Sequence, residues 1–212
     1  MAVYVIGDIH GHLDPLVRLV DSVNPGPEDV LVQLGDCINR GPQSFGVVEY
    51  WINFSRCPYF VLGGNHEEMM FDYLSEGAQL FTDLGGEATV ESYQRNGWEC
   101  KRGDPASVPP DHWQFYLQTF GWTRTIMVTS KYLFTHSGYD FGLDATKQNS
   151  HTIRWGRVFD WRPGLPTVVR GHTPHREVRI KPDVINVDTG CGLGGKLSCL
   201  ELEIGRVWSQ WP

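Results

Sequence analysis

Asp, His and Asn recur in this chain directly after short apolar stretches. Gly7-Asp8-Ile9-His10-Gly11 follows residues 3–6. Gly35-Asp36-Cys37-Ile38-Asn39-Arg40-Gly41 follows residues 30–34, and Gly63-Gly64-Asn65-His66-Glu67 follows residues 59–62. Two more histidines stand in the same setting, in Thr135-His136-Ser137-Gly138 and Gly171-His172-Thr173-Pro174. Carboxylate, imidazole and carboxamide donors without thiolate suit hard-to-borderline divalent cations. A pair of such cations serves displacement at phosphorus. One Gly-Asp after a strand is often only a turn, and one buried His more often satisfies a core hydrogen bond than binds a metal. Six donors that each follow an apolar stretch form a pattern that turns and core packing do not require. Most have an adjacent glycine, expected to let the backbone turn sharply.

The elements that must position these residues are partly legible. Residues 3–6, 30–34 and 59–62 read as buried strands. Residues 13–20 carry Leu13, Leu16, Val17 and Val20 at helical spacing, with Asp14 and Pro15 in the first turn. Asn24-Pro25-Gly26-Pro27 ends that helix. Helices are also expected over residues 44–54 and from residue 67 to 74. Strand–helix alternation of this length predicts a substantially parallel sheet, with ligand-bearing loops at the carboxyl ends of its strands. Residues 75–122 are rich in Gly, aromatic and polar residues and are broken by Asp104-Pro105 and Pro109-Pro110. They read as short helices forming one side of the domain or a lid over the site, with Trp113, Phe115, Tyr116 and Trp122 as its core. Later strands are predicted over residues 125–129, 132–135, 167–170, 184–187, 197–204 and 206–209, with Lys131 and Gly205 in hairpin turns.

Composition narrows the function classes. The chain has 212 residues, enough for a single domain over residues 1–212 with a sizeable core. Hydrophobic residues make up 41% and charged residues 20%, the balance of a soluble globular protein. A net charge of −7 argues against a non-specific nucleic-acid binder. No apolar run approaches the roughly 20 residues of a membrane span. The five cysteines, Cys37, Cys57, Cys100, Cys191 and Cys199, form no zinc-finger spacing and are expected to be reduced thiols. The first strand motif begins at the N-terminus, so no signal peptide is expected and a cytoplasmic location is.

The blocks GDxHG, GDxxxRG, GNHE, the His136 segment and GHTP, in that order, resemble the phosphoprotein phosphatase family of calcineurin-like metallophosphoesterases. The likeness is to its small bacterial and phage members and runs from about Val3 to Glu203. Asp188-Thr189-Gly190-Cys191, with Gly194-Gly195, also looks like that group. The resemblance implies an α/β fold of two mixed β-sheets packed as a sandwich and flanked by helices, four layers in all. It implies two divalent transition-metal ions, manganese first, with iron and zinc as alternatives. Asp8, His10 and Asp36 would hold one ion, and Asp36, Asn65, His136 and His172 the other, with Asp36 bridging. His66 would be the general acid. Arg40 and Arg157 would clamp the phosphate, although Arg154 lies close enough in sequence to be the second clamp instead. Glu67 is expected to support structure or begin a helix. His12, His112, His151 and His175 are expected at the surface or in ordinary hydrogen bonds.

The activity implied is hydrolysis of phosphoserine and phosphothreonine, and also phosphotyrosine, in a protein or a small phosphorylated substrate, by in-line attack of a metal-bridging hydroxide. Neither nucleic acid nor membrane is an expected partner. Two departures bear on this. The family has Asp where this chain has Asn39, so His66 is expected to have a lower pKa and to protonate poor leaving groups less well. Bacterial diadenosine tetraphosphatases also lack that Asp, which makes a symmetrical dinucleoside tetraphosphatase the alternative. Nucleases and phosphodiesterases of the wider superfamily carry G-H-x-H, whereas Pro174 occupies that second His position here. A non-catalytic phosphate-binding protein would be expected to lack metal ligands, and all six are present.

Overall fold

The computed structural model describes residues 1–121 and 124–212. Trp122, expected in the core of the side region, lies outside them. The first third runs β1 (Val3–Ile6), α1 (Leu13–Val23), β2 (Val30–Gln33), α2 (Ser44–Ile52), β3 (Tyr59–Val61) and α3 (Asn65–Glu76). Two more helices follow, α4 (Glu87–Arg95) and α5 (Pro110–Phe120). Then come β4 (Ile126–Val128), β5 (Tyr132–Thr135), β6 (Tyr139–Asp140), α6 (Ser150–Trp155), β7 (Val158–Phe159) and β8 (Thr167–Arg170). The chain finishes with β9 (Arg179–Ile180), β10 (Val184–Asn186), β11 (Leu197–Glu201) and β12 (Val207–Gln210). Pro110 starts α5 rather than interrupting a helix, because its missing N–H is needed by no carbonyl in a first turn.

The strands form two five-stranded sheets, ordered β12-β11-β1-β2-β3 and β4-β5-β8-β10-β9, and β6 pairs with β7. Both large sheets are mixed. In the first, β1, β2 and β3 are parallel, while β11 lies antiparallel to β1. In the second, β5, β8 and β10 are parallel, with antiparallel β4 and β9 at the edges. The expectation of a substantially parallel sheet therefore holds for three strands of each. Lys131 and Gly205 do sit in the β4–β5 and β11–β12 turns.

Side chains alternate across the first sheet with the period of two that a strand imposes. Ile6, Leu31, Val61 and Cys199 face a core shared with Leu16, Leu19, Trp51, Met70 and Tyr116 of the helices. Val5, Val32, Leu200 and Leu202 face the opposite way and meet Phe134, Val169 and Ile185 of the second sheet. Two sheets are thereby cemented face to face, and helices cover the outside of the first. The outer face of the second sheet, with Leu133 and Val168, is covered by Tyr139, Phe141 and Val158, in and around the β6–β7 pair. This arrangement brings the carboxyl ends of β1, β2, β3, β5, β8 and β10 to a common end of the sandwich. Every predicted metal ligand sits just beyond one of those ends.

Candidate metal centre

Sharp turns deliver the predicted ligands, and glycines make part of them: Gly11 (φ 68°) beside His10 and Gly35 (φ 97°) beside Asp36 are left-handed. His10 (φ 50°), Asp36 (φ 57°), Asn39 (φ 72°), Arg40 (φ 69°) and His172 (φ 66°) themselves adopt left-handed backbone. Such conformations are costly for residues with a Cβ and gather at functional sites. Two of the neighbouring glycines serve close approach instead. A Cβ on Gly64 would stand 2.2 Å from Asp36 Oδ1, and one on Gly171 would stand 2.0 Å from Asp8 Oδ1. Two carboxylates are thus seated directly against backbone.

Asp36 Oδ2 is the hub. It lies 3.7 Å from His10 Nε2, 3.4 Å from His136 Nε2 and 4.0 Å from His66 Nε2. His136 Nε2, His172 Nδ1 and Asn65 Oδ1 form a triangle with sides of 2.9, 3.0 and 3.2 Å on the far side from His10. His10 Nδ1 is 3.1 Å from the Ile38 carbonyl and His136 Nδ1 is 2.8 Å from the Leu34 carbonyl. A carbonyl only accepts, so each Nδ1 carries a proton and each Nε2 turns a lone pair to the centre. The ligand atoms of Asp36, His136 and His172 converge, as do those of His10, Asp36 and His66. Asp8 stands slightly apart: its carboxylate accepts the His172 backbone N–H at 3.0 and 3.2 Å.

The donor set fits divalent cations electrostatically as well. Burial pushes the imidazoles of His136 and His172 down to about 3, and holds His10 well below the ordinary histidine value. They are neutral at physiological pH and can donate their lone pairs. Burial pushes Asp36 up to about 7 and Asp188 up to about 6. Asp8 is raised by burial first, then by the charges of Asp188 and Asp36. Three buried carboxylates that repel one another gain from a compensating cation.

His66 lies in the first turn of α3, with Asp36 Oδ1 accepting its backbone N–H at 3.1 Å. The Asn39 amide nitrogen is 2.7 Å from His66 Nδ1, and its oxygen accepts from the Thr89 hydroxyl at 2.8 Å. An amide nitrogen only donates, so Nδ1 accepts at 2.7 Å and the neutral ring carries its proton on Nε2, toward the centre, which makes the longer 3.4 Å approach of the Arg40 guanidinium to Nε2 a contact rather than a hydrogen bond. Burial, followed by the charges of His10 and Arg40, holds the ring well below the usual histidine range. Arg40 is exposed, and its guanidinium donates to His10 Nε2 at 2.8 Å. It therefore stands where the centre opens outward.

The two remaining arginines differ sharply. Arg154 is 2% exposed and is committed to structure. It donates to Glu68 at 3.0 Å and to the Thr119 and Phe120 carbonyls at 3.2 and 2.7 Å, tying α6 to α3 and α5. Arg157 is exposed, in the loop between α6 and β7. Among the described residues its side chain touches none of the predicted ligands. Glu67 has both of its expected parts: it caps α3 through the Gly64 N–H at 2.8 Å, and it accepts the Asp36 and Cys37 N–H groups, each at 2.8 Å. The Asp36 loop is held from below by this carboxylate, which burial raises to about 7. His151 is exposed, His12 and His175 are partly buried, and His112 is buried between Tyr93 and Glu49 at 2.7 and 2.9 Å.

Two residues at the site receive no role from the sequence, although Asp188 stands in a segment noted for its family likeness. Asp188, 3% exposed, follows β10 and adds a carboxylate beside Asp8. The rule that found Asp8, an acid after an apolar strand, applies to it equally. Thr89 of α4 orients Asn39 and has no sequence signal, because it arrives from 50 residues away. Its helix is further fixed to the second block by Ser92, which accepts the Phe45 N–H, and by Arg95, which donates to the Pro42 carbonyl.

Known proteins share this fold. A solved structure described as a "putative diadenosine tetraphosphatase" superposes with a TM-score of 0.74 at 23% identity, covering 99% of this chain and 93% of that one. A cold-active protein tyrosine phosphatase follows at 0.66 and 17%, covering 94% and 73%. A metallophosphoesterase from Sphaerobacter thermophilus gives 0.55 and 15%, covering 100% and 88%. At these identities the likeness bears on the fold. No curated protein sequence matches the chain. The family model for calcineurin-like phosphoesterases matches residues 1–189, which include all six predicted ligands. With that match, the two mixed sheets and the histidine–carboxylate cluster at their common end, this chain belongs to the calcineurin-like metallophosphoesterases.

Proposed function

We propose that the protein is a dinuclear-metal phosphohydrolase whose preferred substrates release a weakly basic leaving group. Phosphoanhydrides, as in dinucleoside tetraphosphates, and aryl phosphates, as in phosphotyrosine, meet that condition. The observation that carries the reading is the Asn39 amide on His66 Nδ1. Asp8, His10 and Asp36 would hold one cation, and Asp36, Asn65, His136 and His172 the other. Two bound divalent cations supply water activation and charge neutralisation at phosphorus.

The protein's own groups do the rest. Glu67, which accepts the Asp36 N–H, and the His66 N–H, which donates to Oδ1, keep the Asp36 carboxylate in place. Arg40, at the open side, offers paired N–H donors to the phosphoryl oxygens. His66 presents Nε2–H to the leaving oxygen. With an Asp partner the ring would become a cation readily and give up that proton as a strong acid. With Asn39 it stays neutral and offers mainly a hydrogen bond. That suffices for a phosphate or phenolate leaving group and leaves a seryl alkoxide poorly served.

A second reading, phosphoserine or phosphothreonine protein phosphatase, rests on the order and spacing of the five blocks. Kinetics with diadenosine tetraphosphate, a phosphotyrosine peptide and a phosphoserine peptide separate the two. The first reading expects kcat/KM at least tenfold higher for the dinucleotide and the phosphotyrosine peptide than for the phosphoserine peptide. It also expects Asn39→Asp to raise alkyl phosphate turnover more than aryl. A dominant rate on phosphoserine, or equal effects of Asn39→Asp, would overturn it.

A further inference from the structure

A second cleft shares a wall with the metal centre. Its volume is about 510 Å³, and it lies between Pro174–Glu177, the loop 189–196 and Trp211. The shared wall is thin. Gly192 of that loop packs so tightly on His10 that a Cβ would stand 2.4 Å from the imidazole Cδ2. On the other side, Pro174 is two residues beyond His172.

The lining combines two chemistries. Trp211 and Leu193 are 63% and 67% exposed, a high exposure for large apolar side chains. The backbone of Trp211 is held at this cleft, because Arg18 donates to its carbonyl at 2.7 Å. The polar lining is basic. His175, Arg176 and Lys196 stand against one acid, Glu177, which Lys196 already pairs at 2.8 Å. Among the described residues Arg176 has no ion-pair partner. Burial first, and then the charges of Arg179, Arg170 and Lys181, lower the pKa of His175, which places three further cations close to the rim. A basic apolar cleft in a chain of net charge −7 is complementary to an anion that carries a flat apolar group.

We propose that this cleft binds a nucleoside monophosphate unit, with the base against Trp211 and Leu193 and the phosphate beside Arg176. The assignment rests on the phosphoanhydride reading of the metal centre. A nucleotide seated here would direct the rest of a polyphosphate chain over the thin wall to Asp36, and the cleft would then select the nucleotide leaving group.

Calorimetric titration of the metal-loaded protein with AMP, adenosine and inorganic phosphate tests binding directly. AMP should bind, Trp211→Ala and Arg176→Glu should each weaken it at least tenfold, and adenosine should bind more weakly than AMP. Kinetics give an independent readout. Trp211→Ala should raise KM for diadenosine tetraphosphate at least tenfold while leaving p-nitrophenyl phosphate hydrolysis unchanged. If the wild type hydrolyses p-nitrophenyl phosphate but not the dinucleotide, the phosphoanhydride reading fails, and AMP binding still decides the cleft. Equal AMP affinity in wild type and both variants overturns the proposal. So does a concentration-dependent dimer abolished by Trp211→Ala without AMP binding, which would assign this face to a second copy of the chain.

Discussion

Replacing Arg154 tests the division of labour among the arginines. Arg154→Ala would delete four hydrogen bonds at once, to Glu68, Ser150 and the Thr119 and Phe120 carbonyls. Removing one member of a buried ion pair costs about 3–5 kcal/mol, because the partner keeps its desolvation penalty. Glu68 is cushioned here: its side chain is 18% exposed, and it still accepts from Ser150 and from Trp155 Nε1. That places the loss near the lower end, about 3 kcal/mol. For a chain of this length each kcal/mol moves the melting temperature by about 2–4 °C. The variant should therefore melt about 6–12 °C below wild type, with KM for p-nitrophenyl phosphate unchanged below its transition. Differential scanning calorimetry and steady-state kinetics on the same preparations give both numbers. A melting temperature within about 2 °C of wild type together with a raised KM would refute the argument. It would mean that Arg154 spends its charge on substrate rather than on α3 and α5.

Further perturbations have defined outcomes. Arg157→Ala should raise KM for p-nitrophenyl phosphate severalfold at unchanged melting temperature, and an unchanged KM would remove Arg157 from the phosphate site. Asp36→Asn should reduce the affinity of both metal positions, whereas His172→Ala should release one ion per chain. Elemental analysis after dialysis distinguishes these, and loss of a single ion from Asp36→Asn would contradict a bridging role. Glu67→Gln leaves the Cys37 N–H without its acceptor and should weaken metal binding by about 10–100-fold, the usual cost of disturbing a ligand's support. Unchanged calorimetric affinity would confine Glu67 to capping. His112 is held below the ordinary histidine value of 6.5 by burial. Below that value the unfolded ring takes a proton that the folded ring refuses, so stability falls as pH drops from about 6.5 toward the folded pKa. Phe in place of His112 should flatten that slope in urea melts between about pH 7 and 5.5, and an unaltered slope would assign the acid sensitivity elsewhere.

The first half of the sandwich was readable because its strands are short, apolar and followed by punctuated helices. The second sheet gave up β5 and β8 for the same reason. Its edge strand β9 and the separate β6–β7 pair stayed hidden, because these strands have two residues each and no periodicity to detect. α6 was also missed, since it has six residues and its key side chain is an arginine turned inward. The convergence of the predicted ligands was legible because each sits beside a strand end, whatever the distance between them in sequence. Glycine bends the chain at Gly11 and Gly35 as expected, whereas Gly64 and Gly171 leave space for Asp36 and Asp8, a role that spacing alone does not reveal. Of the Thr89–Asn39–His66 chain only the Asn39–His66 link was legible, through the family resemblance; Thr89 comes from α4 and meets Asn39 only when the helices pack.

The left-handed backbone at His10, Arg40 and His172 has a consequence for any attempt to harden this protein. Each such residue costs about 1–2 kcal/mol relative to an unstrained backbone, and glycine at the same position avoids most of that cost. Selection for heat resistance alone, without a demand for turnover, should therefore enrich glycine at positions 10, 40 and 172. The shortest route to a more robust variant of this enzyme runs through an inert one, and a thermostability screen should carry an activity counter-screen from its first round.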